Sequence, residues 1–416
     1  MFKAGRRLTK VCIISICIVF VLLVGYYFSD LLRIREDIEY RRTAEAVFDD
    51  VLGEMEKIRG LSLLGKVELE IVEVSWVREN WGWKQVEAVS REIEIEERIY
   101  KALFLIPENV SLREVKVQEA GAILAASWED KVYIVMEYFN PYDKPKAKET
   151  FAHELTHILQ GRNFKTPETK SHDEKQAWSA LIEGDAGLTA KECIKTEEDP
   201  INPSPLILAQ KASFSYIYAS KIPDSMMRIW LFPYQYGENF VRALYAKGGW
   251  ERVNQAYEDS PQTTEQIMHP EKYLEGEWYA EVEAPPLNAS GWTSAKADRL
   301  GEHFILVMLE THVPTDESAK AAEGWNGDNL TFYEKENDYM FTWKILWDTE
   351  EDTVQFSDAF VDMMRALGAE ELATGFWKVR GEYISFKRDG LSTLIVGSTT
   401  ISHQISMVAS AKEDPD

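Results

Sequence analysis

The longest uniform apolar run in the chain lies near its start, where Val11 to Phe28 holds 18 uncharged residues preceded by Lys3, Arg6, Arg7 and Lys10. As a helix this run measures about 27 Å, close to the roughly 30 Å hydrocarbon thickness of a bilayer. The following GYYFSDLL offers bulky residues where signal cleavage needs small ones, so the pattern predicts an uncleaved transmembrane anchor over 11–28. Four basic residues beyond it, Arg33, Arg35, Arg41 and Arg42, match the four before it. The short tail then favours an interior N-terminus with the body outside the cytoplasm, a single-pass arrangement in the cell membrane with the lipid bilayer as a partner. The pattern next turns amphipathic. Leu31, Ile34, Ile38, Ala44, Val47, Val51 and Met55 recur at helical spacing and predict a stalk helix over 29–58.

Apolar residues alternating with Lys and Glu over Leu63–Val77 predict a strand, followed by a charged helix reaching Leu105. Ala122–Ser127 and Lys131–Tyr138 read as two strands joined by the polar turn Trp128-Glu129-Asp130, and Asn140–Lys146 as a loop. Thr150–Leu159 contains no Gly or Pro and predicts a helix that Gly161 would end. Helical patterns continue over Glu174–Glu192, Pro205–Ala219, Tyr236–Lys247 and Trp250–Tyr257. From about Gly291 the texture becomes strand-like at 304–309, 329–334 and 339–347, with a helix over Phe356–Leu367 and late strands at Tyr383–Phe386 and Thr393–Val396. The divisions are a tail over 1–10, the anchor, the stalk, a main domain over 59–290, an α+β C-terminal domain over 291–409 and a frayed end over 410–416.

Charge narrows the partners. Seventy acidic against 46 basic residues leave a net charge of −24, which opposes phosphate-backbone binding and excludes nucleic acid as a natural partner. Cys12 and Cys17 lie inside the apolar run and Cys193 stands alone, so no disulfide framework or cysteine metal site can be built.

The chemistry is concentrated in HELTH, residues 153–157. On a helix, His153 and His157 face the same way one turn apart, as two ligands of one metal require. Glu183, 26 residues beyond His157 in SALIEGDAGLTA, is the expected third ligand on a second helix that returns beside the first. His172 is its rival, although charged neighbours give it a surface-loop context. Asp185 reads as a carboxylate behind the ligands. Zinc held there acidifies water, and Glu154 is the expected base, passing the proton on to a leaving amine. Tyr234, Tyr236 and His269 are candidate donors to the developing oxyanion.

HELTHILQ followed by IEGDA, FPYQYGENFVRALYAKGGWERVNQAY, TTEQIMHPEKY and GWNGD, with RGL at 59–61, LIPE at 105–108 and WEDKVYIV at 128–135, resembles a family of membrane-anchored or secreted bacterial and archaeal HExxH zinc metallopeptidases of the glutamate-ligand, gluzincin type. The resemblance covers roughly residues 59–350. It implies an α+β fold with a zincin-like metallopeptidase core, mostly helical around the site, a strand-rich C-terminal region and one N-terminal transmembrane helix. It also implies Zn(2+) on His153, His157 and Glu183, Glu154 as base, and a protein or peptide substrate pairing with the strand at Lys131–Tyr138. An acidic residue often lies one turn beyond the glutamate ligand in such enzymes. Here that position is Gly187, leaving Asp185 or Glu149 to brace a ligand histidine. The alternative is a catalytically retired peptidase fold acting as an envelope binding or assembly module.

Overall fold

The computed structural model describes residues 33–121, 123–194, 222–284 and 291–401, together with Tyr26. A helix over 33–59 (α1) leads to strand Glu68–Val72 (β1). A broken helical run follows, Val74–Val77 (α2), a π-helical turn Arg78–Trp83 and Lys84–Ala88 (α3), then helices Ser90–Ala102 (α4) and Leu112–Gly121 (α5). Strands Ala125–Trp128 (β2) and Lys131–Val135 (β3) precede the long helices Lys144–Asn163 (α6), His172–Ile194 (α7) and Asp224–Glu258 (α8). Two short helices, Thr264–Met268 (α9) and Pro270–Glu275 (α10), close this half.

The first sheet has the order β1-β3-β2, with β1 parallel and β2 antiparallel to β3. The middle strand is therefore the one expected to bind substrate. Lys131–Val135 has both edges occupied, β1 and β2 are the edge strands among the described residues, and β2 is the one that lines the cleft. The predicted turn is present, with Glu129 taking a left-handed φ of 53°. Arg162 at the end of α6 clamps this hairpin, donating to Asp130 Oδ1 from Nε at 3.1 Å and to the Lys66 carbonyl at 2.9 Å.

The C-terminal half begins with strand Thr293–Asp298 (β4), helices Gly301–Glu310 (α11) and Thr315–Ala322 (α12), and strands Trp325–Lys335 (β5) and Asp338–Trp347 (β6). Helix Glu350–Ala366 (α13) and strands Glu370–Ala373 (β7), Phe376–Val379 (β8), Glu382–Asp389 (β9) and Ser392–Ser398 (β10) complete it. The strands form one seven-stranded sheet, β4-β5-β6-β10-β9-β8-β7, antiparallel throughout. Its apolar core crosses the expected boundary at residue 290: Ile93, Ile99, Leu103, Leu112, Met226 and Ile229 bury in the same cluster as Phe304, Trp325, Trp343 and Phe356.

Several expectations are corrected. The fold expectation of a mostly helical core with an N-terminal transmembrane helix gives way to a mixed helix and strand architecture with a large antiparallel sheet. The segment 11–28 lies outside the described residues, apart from Tyr26, and among the described residues no helix is long and apolar enough to cross a membrane. The most apolar described helix, α11, has ten residues, about 15 Å or half a bilayer, and the longer helices carry charge along their length. The same α11 replaces the strand expected at 304–309, because a short run buried on every side has no periodicity to separate the two states. Part of the expected loop at 140–146 is the first turn of α6, where Pro145 is tolerated because no intrahelical donor is needed there. The helix expected at 205–219 lies outside the described residues.

The stalk expected over 29–58 is a docked helix. Ala44, Val47, Phe48, Val51 and Met55 of α1 share a buried cluster with Phe151, Leu155 and Leu159 of α6, and the Phe48 and Phe151 rings meet edge-on at 5.4 Å. Arg59, the last residue of α1, is 0% exposed.

Candidate metal centre

Helix α6 turns His153 and His157 toward α7, and a glycine on α7 lets α8 come close behind it. A Cβ on Gly184 would lie 2.1 Å from the Gly237 carbonyl oxygen of α8, and one on Gly237 would lie 2.1 Å from the Ala180 oxygen. The backbones of α7 and α8 therefore pack directly beside Glu183. Gly248 and Gly249, the latter at φ 62°, kink α8 and carry its last turns onward to Tyr257.

The three residues expected to hold a metal converge. His153 Nε2 lies 3.1 Å from Glu183 Oε2 and 3.1 Å from His157 Nε2, and His157 Nε2 lies 3.5 Å from the same oxygen. The rings cross at 88° with centroids 4.7 Å apart. These are donor atoms of the kind that metal sites use, and three is the number found in catalytic sites, whereas structural zinc sites take four.

The hydrogen-bond network fixes which atom each group presents. Gln160 Nε2 donates to the Ile182 carbonyl at 2.9 Å and to Asp185 Oδ2 at 3.1 Å, so the amide oxygen is the atom facing His157 Nδ1 at 2.9 Å. In its neutral form His157 therefore keeps its proton on Nδ1 and offers a lone pair at Nε2, the form a metal ligand requires. Asp185 also accepts from Tyr257 at 2.7 Å and from Arg59 Nε at 2.7 Å.

Without a cation the three groups compensate among themselves. Burial opposes charge on His157, but Glu183 and Glu154 outweigh it and push the imidazole up to about 9. Burial acts to raise Glu183, yet the two imidazoles hold its carboxyl far below the ordinary carboxylate range. The cluster favours positive charge in its midst, and a divalent ion meets that demand. Two imidazoles and a carboxylate thus form a group that could hold a metal ion.

Glu154 is buried and pushed up by that burial, while the two imidazoles and, to a smaller extent, Ser127 of β2 act in the opposite direction. It lines one 1080 Å³ cleft with His153, His157, Glu183 and the whole of β2. Tyr234, Trp230, Trp178, Trp128 and Trp81 line the same cleft. Of the three oxyanion candidates only Tyr234 is there, its ring stacked over His153 at 6.5 Å. Tyr236, about 200° further round the helix, packs on Phe232 and His303 instead. His269 pairs with Glu302 at 3.1 Å and does not line the cleft. His172, the rival ligand, sits at the other end of α7 against Phe304, about 16 Å of helix from Glu183.

Gln160 and Arg59 escaped the sequence reading. Both stand inside motifs that carry the resemblance, Gln160 at the end of HELTHILQ and Arg59 at the start of RGL, but neither has an expected role there, and Arg59 lies 126 residues from its partner Asp185. A second grouping of acids, Glu265, Glu277 and Asp348, already surrounds a cation, because Lys272 Nζ lies 2.7, 2.7 and 3.2 Å from them.

A family model described as a domain of unknown function, DUF8575, matches residues 289–406. That match covers the seven-stranded sheet and leaves the metal cluster outside it. No curated protein matches the chain, and no solved structure does.

Proposed function

We propose that this protein is a zinc-dependent peptidase that hydrolyses peptide bonds. The observation that carries the reading is the convergence of His153, His157 and Glu183 in one cleft with a buried carboxylate, Glu154, that belongs to no ligand set. A binding module has no physical use for a base beside a metal cluster.

His153, His157 and Glu183 would hold the ion, which when bound polarises a carbonyl and acidifies water. Glu154 takes up the proton at its carboxylate and returns it to the leaving amine. Burial keeps that proton within the site, and Ser127 lines the same cleft from the strand. Tyr234 brings a phenol into the same cleft, a donor for charge developing on the carbonyl oxygen. The free edge of β2 pairs with extended peptide backbone, and the aromatic walls exclude water from the bonds so formed.

The test is Glu154→Gln in the full chain, assayed on a mixed peptide pool with zinc content read by elemental analysis. The reading expects turnover lost with about one zinc per chain retained. Unchanged hydrolysis in that variant, or a parent chain that takes up no zinc, would refute it.

A further inference from the structure

We propose that helix α1 is part of the metal site, with Arg59, Asp185 and Gln160 as positioning residues for His157, so that docking of α1 and metal occupancy form one linked equilibrium. The proposal rests on the metal cluster assigned above, not on peptide hydrolysis.

Three side chains connect the end of α1 to the ligand His157. Arg59 donates to Asp185 from Nε at 2.7 Å and from Nη2 at 3.1 Å, with its guanidinium 4.4 Å from the Trp250 ring centroid. Asp185 receives Gln160 Nε2 at 3.1 Å, and Gln160 Oε1 meets His157 Nδ1 at 2.9 Å. Both members of the ion pair are 0% exposed. Arg59 Nη1 is buried with no hydrogen-bond partner, so the fold bears a cost to keep this cation. A buried ion pair adds little net stability over an apolar replacement, and what it supplies is orientation.

The orientation passes along the series by elementary hydrogen-bond rules. Arg59 holds the Asp185 carboxylate, which accepts only, so Gln160 must direct its NH₂ toward it and its oxygen toward His157. If Asp185 is released, the Ile182 carbonyl at 2.9 Å is the one acceptor left to hold the Gln160 NH₂, and an amide that turns over presents N–H to His157 Nδ1. The imidazole proton would then move to Nε2, on the side where the ligand lone pair is needed. By thermodynamic reciprocity, anything that fixes His157 in its ligating form also favours the docked α1.

Two measurements on the full chain with zinc alone test this. Hydrogen exchange over residues 52–59 should slow on adding zinc, and Gln160→Met should abolish that slowing while leaving the Arg59–Asp185 pair in place. Zinc affinity, read by competition with a chromophoric chelator, should weaken about 10- to 100-fold in Gln160→Met and in Asp185→Asn. The double variant should be no weaker than the weaker single one, because one effect acts through the other. A purely structural pair would lower the unfolding midpoint of Asp185→Asn but leave zinc affinity in Gln160→Met unchanged. That result, additive losses, zinc-insensitive exchange at 52–59, or absence of zinc binding would each overturn the proposal. A chain that shows this coupling yet cleaves no peptide sinks the peptidase reading alone, and zinc-dependent cleavage with affinity indifferent to Gln160→Met sinks the coupling alone.

Discussion

Gly184 and Gly237 touch backbone to backbone, and a methyl group on either would sit 2.1 Å from a carbonyl oxygen of the facing helix. No flexible side-chain end is available to yield. Gly184→Ala must therefore separate α7 from α8, which overpacking costs put at about 1–3 kcal/mol. Because Glu183 is the adjacent residue, the same substitution should weaken zinc binding. A denaturant midpoint and a zinc titration on this one variant check both effects, and an unchanged midpoint would refute the close-packing account.

Asp328 is the buried junction between α11 and the large sheet. Its carboxylate accepts from the Leu300 and Gly301 amides at 3.0 and 2.9 Å and from the indoles of Trp325 and Trp343 at 3.1 and 2.9 Å. An amide in its place has one oxygen for four donors and turns N–H toward some of them. Asp328→Asn should lose about 2–4 kcal/mol, judged from the cost of unsatisfied and charge-assisted buried bonds. Thermal unfolding followed by tryptophan fluorescence reads it directly.

His303 makes the protein acid-sensitive. It is 3% exposed, packs 4.2 Å from the Phe232 ring and has Nδ1 buried with no hydrogen-bond partner. Burial, with smaller contributions from His172 and Arg228, pushes it down to about 3. The unfolded chain takes up this proton first, near pH 6.5, so stability is constant above that value and falls as pH drops toward 3. Between pH 6.5 and 5 the loss is about 2 kcal/mol. His303→Phe should remove that part of the pH dependence of the urea midpoint, and a variant whose midpoint changes between pH 7 and 5 as the parent's does would contradict it.

The two tyrosines on α8 give opposite expectations for catalysis. Tyr234→Phe removes a phenol from the cleft and should lower kcat by about 10²-fold with KM little changed, as loss of an oxyanion donor does. Tyr236→Phe acts on a ring packed against Phe232 and His303 and should leave kcat within about twofold. Steady-state kinetics on the two variants separate them, and the reverse order would reassign the donor.

Local signals made much of the site legible. Two histidines at i and i+4 on an uninterrupted helix face one side by helix geometry alone, while Glu183 meets them through the packing of α7 on α6. The hairpin of β2 and β3 was equally local. The order of strands was not, because β1 joins the sheet from 63 residues away along the chain and takes the free edge of β3. The Arg59–Asp185 pair and the Asp328 junction were also invisible, since an arginine or aspartate reads as surface until the fold supplies its partner. The FILVML run misled for the opposite reason: a helix buried on every side has no polar face to mark its period.

The shared core of the two halves separates the unit of recurrence from the unit of folding. The segment matched as a domain of unknown function supplies Trp325, Trp343, Phe304 and Phe356, but α4, α5 and the start of α8 cover them. Cut out alone, it would display that aromatic surface to solvent and associate through it. What recurs as sequence is thus half of an interior, and a substitution on either side of residue 290 is felt on the other.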